Sequence, residues 1–183
     1  MFALSACGFK PRPDEKIPTA DEILQEKTVL ITNLNTVEKD GEALAYLDNE
    51  LYSGVAYHFF SNGTQQIKQT YLDGRKEGEW SIWYEDGTPQ KEGFIKDGKQ
   101  HGAYREYYSN GNLRYEYEYD LDRKTGTWRG WYDDGTRYTI REFTNDTLHG
   151  KVLVYDEKGD LAKEYDYHKG QLVGKKMHFE EKE

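Results

Sequence analysis

The chain is poor in the residues that usually build a core. Leu, Ile, Val and Phe supply 34 of its 183 residues, against a formal net charge of −9. On those numbers alone it resembles sequences that stay unfolded. It has one cysteine, Cys7, so no internal disulfide can form and the thiol content does not reveal a redox compartment. No stretch approaches the ~20 apolar residues that a membrane-spanning helix requires. Short catalytic signatures are missing as well. There is no Gly-x-Ser-x-Gly, no phosphate-binding glycine loop and no His-Glu-x-x-His.

What the chain has instead is aromatics and phase. It carries 16 Tyr and four Trp, which bury large areas and can replace missing aliphatics. Gly54, Gly78, Gly102, Gly126, Gly150 and Gly174 follow one another at intervals of 24 residues, and Gly63, Gly87, Gly111, Gly135 and Gly159 keep the same step. A period of this size is the mark of a repeat array. An array spreads similar side chains along an axis, which speaks against an enzyme.

The unit is visible in Gly78-Glu79-Trp80-Ser81-Ile82-Trp83-Tyr84-Glu85-Asp86-Gly87, and again from Gly102 to Gly111 and from Gly126 to Gly135. Each reads glycine, strand, then Asp-Gly or Asn-Gly. That dipeptide between apolar runs signals a hairpin, because both of its residues accept positive φ. In the strand that follows, Tyr115, Tyr117 and Tyr119 alternate with Glu116 and Glu118. A second turn closes the unit at Asp73-Gly74, Asp97-Gly98 and Lys169-Gly170, with Asp122 and Asp146 in the same phase without glycine. The spacing predicts an all-β fold, an elongated single-layer antiparallel sheet of 24-residue hairpins. First strands are expected near 79–84, 103–108, 127–132 and 151–155, paired with strands near 90–95, 114–119, 138–143 and 162–167.

The unit resembles the bacterial variant of the MORN repeat, Gly-x-Trp-x-x-Tyr-Tyr-x-Asn-Gly, then a strand, then Asp-Gly-x-x-x-Gly. The match is best over 72–135 and looser over 48–179. Chains of this kind are similar to the YwqK family of antitoxins, many of them exported or lipid-anchored. The resemblance implies a binding protein, with the antitoxin role resting on family association. The ends depart from the pattern, with Val152, Asp156 and Lys176 in place of central aromatics, as terminal caps of an array require.

Residues 1–18 read as a truncated lipoprotein signal and tether. Leu4-Ser5-Ala6-Cys7 resembles a lipobox, which would make Cys7 the lipidation site; three prolines follow before residue 19. Only three residues precede the box, so either the start is truncated or the cysteine is incidental. Residues 19–47 read as an N-terminal cap. Thr19-Ala20-Asp21-Glu22 opens a short helix to about Lys27, Thr28–Leu34 forms a strand, and Glu42–Leu47 forms a half-unit covering the first sheet edge. Residues 48–179 form the array and 180–183 a charged tail.

Two sets of residues are candidates for partner binding. Glu116, Glu118 and Glu142, with Glu92, Glu164 and Asp166, fall on the second strands opposite the tyrosines. A carboxylate stripe repels nucleic acid and anionic lipid but attracts a basic protein; the plainer reading is a solvated polar face. Trp80, Trp83, Trp128 and Trp131 are the alternative, a platform for glycan or cell-wall polymer, against a purely structural role in aromatic ladders. His101 and His149 lie two repeats apart, too far to share a metal, whereas His168 and His178 share the last hairpin; no metal and no cofactor is expected. The expected function is non-enzymatic protein binding, immunity-like toward a basic toxin. The expected location is a bacterial cell envelope through a lipid on Cys7, the alternative being the cytoplasm.

Overall fold

The computed structural model describes residues 27–178. Its elements are β1 (Lys27–Leu30), a 3-10 turn (Ile31–Asn33), β2 (Asn35–Lys39), β3 (Glu42–Leu47), β4 (Glu50–Leu51), β5 (Gly54–Phe59), β6 (Gln65–Leu72), β7 (Arg75–Trp83), β8 (Pro89–Lys96), β9 (Lys99–Gln100), β10 (Gly102–Tyr107), β11 (Leu113–Asp120), β12 (Arg123–Trp131), β13 (Arg137–Thr144), β14 (Thr147–Tyr155), β15 (Leu161–His168) and β16 (Gln171–Met177). Thirteen strands form one sheet, and β2-β3-β4 form a second. From β5 to β16 the large sheet is a meander in which each strand pairs antiparallel with the next, the short β9 aside. The twelve strands along its path, at about 4.8 Å each, make it about 50 Å long. The expected array is therefore present, with β7–β8, β10–β11, β12–β13 and β14–β15 as its hairpins.

The two series of turns differ in kind. In the second series both central residues have positive φ: Asp73 and Gly74 at 48° and 79°, Leu121 and Asp122 at 50° and 69°, Asn145 and Asp146 at 47° and 64°. These are the I′-type turns whose twist matches the flanking strands. In the first series only the glycine is left-handed. Gly87 and Gly111 both have φ of 87°, whereas Asp86 and Asn110 do not enter that region. There Gly87 N–H donates to Tyr84 O (2.9 Å) and the ladder shifts register at Ile82/Trp83. That is a turn closed by a glycine bulge, so the Asp-Gly signal located these hairpins but misassigned their geometry.

Of the glycines that begin each unit, Gly54 and Gly102 open their strands, whereas Gly78, Gly126, Gly150 and Gly174 sit inside theirs. Gly126 (φ 63°) and Gly150 (φ 106°) lie where β11–β12 and β13–β14 shift register. Each marks a bulge that bends a nine-residue strand. Gly174 closes the series without positive φ.

The N-terminal part departs from expectation. Residues 19–26 of the expected helix, the tether 1–18 and Cys7 lie outside the described residues, and Lys27 already belongs to a strand. The expected strand Thr28–Leu34 ends at Leu30. The 3-10 turn follows, and Ile31 and Leu34 pack against Ala45, Tyr52, Ala56 and Tyr71. β1 runs parallel to β5 and takes its edge, the one parallel pair of the sheet. Glu42–Leu47 is the middle strand of the small sheet rather than a half-unit of the array. The densest core is here: Ala45 and Tyr52 are each 2 % exposed, and Tyr52 Oη donates to Val55 O (3.0 Å). Along the array no large side chain is wholly enclosed. A single layer is held instead by cross-strand pairs.

Candidate interaction surfaces

One face of the sheet carries a row of charges of both signs. Register places Lys68, Ser81, Glu92, Arg105, Glu116, Arg129, Ile140, Leu153, Glu164 and Lys176 side by side across successive strands. Arg105 donates through Nε to Glu116 (3.1 Å) and through Nη1 to Glu92 (3.4 Å), while Arg129 donates to the second oxygen of Glu116 (3.1 Å). Tyr107 Oη donates to Glu92 (2.8 Å). Lys151 pairs with Glu164 and holds its carboxyl below the usual range. The carboxylates do share a face, as alternation implied, but guanidinium and ammonium groups from the first strands interleave with them. What the second strands suggest as an acidic stripe is a neutralised ladder.

Glu118 and Glu142 serve the bulges. A Cβ at Gly126 would overlap the Glu118 carboxylate, and one at Gly150 that of Glu142. Glu142 Oε2 accepts the Lys151 N–H (2.9 Å). In both bulges the glycine opens room that the neighbouring carboxylate fills, and at Gly150 that carboxylate also satisfies a backbone donor that the bulge removes from the ladder.

The four tryptophans divide between the faces. Trp80 and Trp128 belong to the tyrosine side. Ring centres step from Trp80 to Tyr104 (5.6 Å), Tyr104 to Tyr117 (5.6 Å), Tyr117 to Trp128 (4.3 Å) and Trp128 to Phe143 (4.8 Å). Trp80 is buried, and Lys124 Nζ lies 5.0 Å above the Trp128 ring. Burial pushes the Tyr104 and Tyr117 hydroxyls well above their ordinary range, helped at Tyr104 by donation to Glu106 (2.8 Å). Strand alternation puts Trp83 and Trp131 on the ladder face with Tyr107, and both are half-buried. No common platform of four indoles exists.

The acidic surface lies on the rim formed by the first-series turns. Glu85, Asp86, Asp133, Asp134, Glu157 and Asp160 are exposed there. Hydrogen bonds between neighbouring units hold the rim in line. Asn62 Nδ2 donates to Glu85 O (3.1 Å) and Asn110 Nδ2 to Asp133 O (2.7 Å). Tyr84 Oη donates to Tyr107 O (3.0 Å), and Tyr108 Oη to Trp131 O (2.9 Å). Asp86 Oδ1 accepts Thr88 N–H (2.8 Å) and Asp134 Oδ1 accepts Thr136 N–H (2.7 Å). These bonds hold both carboxyls below the ordinary aspartate range, so the rim keeps charge as pH falls. Sequence reasoning missed the rim because its acids were assigned to turn chemistry; the recurring pairs Glu85-Asp86 and Asp133-Asp134 were the available signal.

Three stretches of this chain match the MORN repeat variant. They are residues 76–97, 100–121 and 148–169. Their starts fall on the 24-residue phase, and the unit stepped over, 124–145, forms the same hairpin from β12 and β13. The three matches support a MORN-repeat protein. No curated protein matches the chain. A solved structure of an S. aureus TarM mutant in complex with fondaparinux, alpha-GlcNAc-glycerol and UDP is similar over 65 % of this chain and 21 % of that one, at 13 % identity and a TM-score of 0.35. This chain thus spans about a fifth of that structure, and a likeness so slight bears on neither function nor ligand.

Proposed function

We propose that the protein is a non-enzymatic binding module that takes a basic protein partner along its acidic turn rim, in the manner of an immunity protein neutralising a cationic toxin. The observation that carries this reading is the alignment of Glu85, Asp86, Asp133, Asp134, Glu157 and Asp160 on one edge of a sheet whose faces are occupied by internal pairs. Lys158 interrupts this rim, but its net sign is negative, and a surface of one net sign steers an oppositely charged protein and speeds its encounter. The net charge of −9 acts in the same direction. The glycan reading through Trp80, Trp83, Trp128 and Trp131 has less support, since stacking and half-burial leave no indole fully presented.

The test is a triple variant, Glu85→Gln, Asp133→Asn and Glu157→Gln, which keeps the backbone acceptors of the rim. Basic proteins retained from native extract by the wild type are then measured for association rate at low and high salt. The expected result is slower association in the variant, approaching the wild-type rate at high salt. A partner that associates equally fast with both at low salt overturns the reading. The same reading anchors the chain to an envelope membrane through a lipid on Cys7, as the Leu4-Ser5-Ala6-Cys7 motif suggests. Lipid label retained by Cys7→Ser would exclude that anchor.

A further inference from the structure

We propose that His149 and His168 form a two-imidazole site for a first-row divalent transition metal of the Zn2+, Ni2+ and Cu2+ group. The two side chains come from neighbouring strands. Gly150 faces Tyr167 across β14–β15, which makes 149 and 168 the next cross-strand positions. Their ring centres are 5.1 Å apart and the rings are tilted by 52°, so they approach without stacking flat. Two imidazoles bound to one ion through nitrogens at about 2.0 Å, with a near-tetrahedral angle between the bonds, place their ring centres about 5 Å apart. The observed separation meets that requirement without strand movement.

Both histidines are exposed, which gives an ion access and leaves coordination positions for water or for a group brought by a partner. Imidazole pairs favour borderline transition metals over Mg2+ and Ca2+, which prefer oxygen. Among the described residues no group of three or more His, Cys, Asp or Glu is placed to hold a metal, so the chain contributes two ligands here. One contact opposes binding. Lys169 N–H donates to His149 Nδ1 at 3.4 Å, a long and weak bond. An ion at Nδ1 replaces it. An ion at Nε2 needs the tautomer with its proton on Nδ1, and so gives up the same contact. His168 and His178 share the last hairpin, but the neighbour that His168 meets is His149. His178 lies beside Glu164, 3.8 Å from its carboxylate.

Calorimetric titration of untagged protein with Cu2+, Ni2+, Zn2+ and Mg2+ tests the site. The expected result is one ion per chain, Cu2+ tightest and Mg2+ not bound. His149→Gln and His168→Gln should each weaken Cu2+ by at least tenfold, since losing even an outer-shell partner weakens metal sites by about 10–100-fold. His58→Gln and His178→Gln should leave the affinity unchanged. Both site histidines are exposed, and circular dichroism in chelator checks that every variant folds. Equal affinity in wild type and His168→Gln, loss in His178→Gln instead, or no stoichiometric binding in the wild type overturns the proposal.

Discussion

Gly111 and Gly126 show how the same residue type does two jobs in one repeat. A Cβ at Gly111 would meet only Thr88 Cγ2, at 3.8 Å, so a substitution there adds backbone strain at φ 87° and little else. At Gly126 the same strain is joined by displacement of the Glu118 carboxylate from the bulge. Gly111→Val should therefore lose roughly 1–3 kcal/mol in urea denaturation, and Gly126→Val should lose more. Equal losses would show that the bulge carboxylate is dispensable. The turn aspartates add a dependence on acid. Thr88 N–H holds the Asp86 carboxyl below its unfolded value, and Thr136 N–H does so for Asp134. A depressed folded pKa contributes stability above the ordinary aspartate range, and that contribution is lost as pH falls through the folded value. Asn110 makes the same bond to Asn112 N–H (2.9 Å) in its own turn, so asparagine is compatible with the site. Asp86→Asn with Asp134→Asn should fold at neutral pH with a slightly lower melting temperature than the wild type, and lose less of it between pH 5 and 3. Parallel acid melts of wild type and variant would count against these bonds as the source.

At the level of the hairpin, the glycine step and the Asp-Gly pairs made strand positions readable, because a backbone that needs positive φ restricts the residues it accepts. The Leu121-Asp122 turn shows where that reading ends. It has the same geometry as Asp73-Gly74 with only the phase of Asp122, and no glycine, to signal it; the flanking ladder imposes the conformation, and Asp122 Oδ1 accepts the Gln100 N–H (2.7 Å). The arginines that neutralise Glu92 and Glu116 were also legible in principle, at Arg105 and Arg129 one period apart, but only pairing both strands of each hairpin puts them in the row. Tyrosine hydroxyls that reach into the next unit could not be read, since their acceptors are carbonyls 23 residues away. Their lengths rank them: Tyr108 donates at 2.9 Å and Tyr132 at 3.4 Å. Tyr108→Phe should thus cost about 0.5–1.5 kcal/mol, and Tyr132→Phe less, in chemical denaturation at neutral pH. The reverse order would mean that ring packing, rather than the hydroxyl, governs these positions.

For the whole molecule, a meander of like units has a stability built from each hairpin and its contacts with two neighbours, so one unit can be removed if the phase is kept. Deleting residues 103–126 joins Gly102 to Thr127, the junction that Gly126 normally makes. Tyr84 then meets the carbonyl of Trp131 in place of that of Tyr107, and Glu92 meets Arg129 in place of Arg105. On the tyrosine face Trp128 takes the place of Tyr104 beside Trp80. Most interactions that cross the junction have an equivalent; Lys91 loses Glu106 to Gly130, His101 loses Asp120 to Thr144, and Glu92 loses the Tyr107 hydroxyl to Trp131. The shortened chain should fold cooperatively, with a sheet shorter by two strands, about 10 Å. It should unfold with a smaller denaturant m-value, because less surface is buried. Deleting only 103–114, half a period, removes one strand and leaves the next running in the wrong direction for the bulges, tyrosine bonds and charge ladder. That variant should lose its cooperative transition. Small-angle scattering and urea denaturation on the two deletions decide the matter. A half-period deletion as stable as the full-period one would show that the sheet tolerates any strand in sequence, and that the 24-residue phase does not hold the units together.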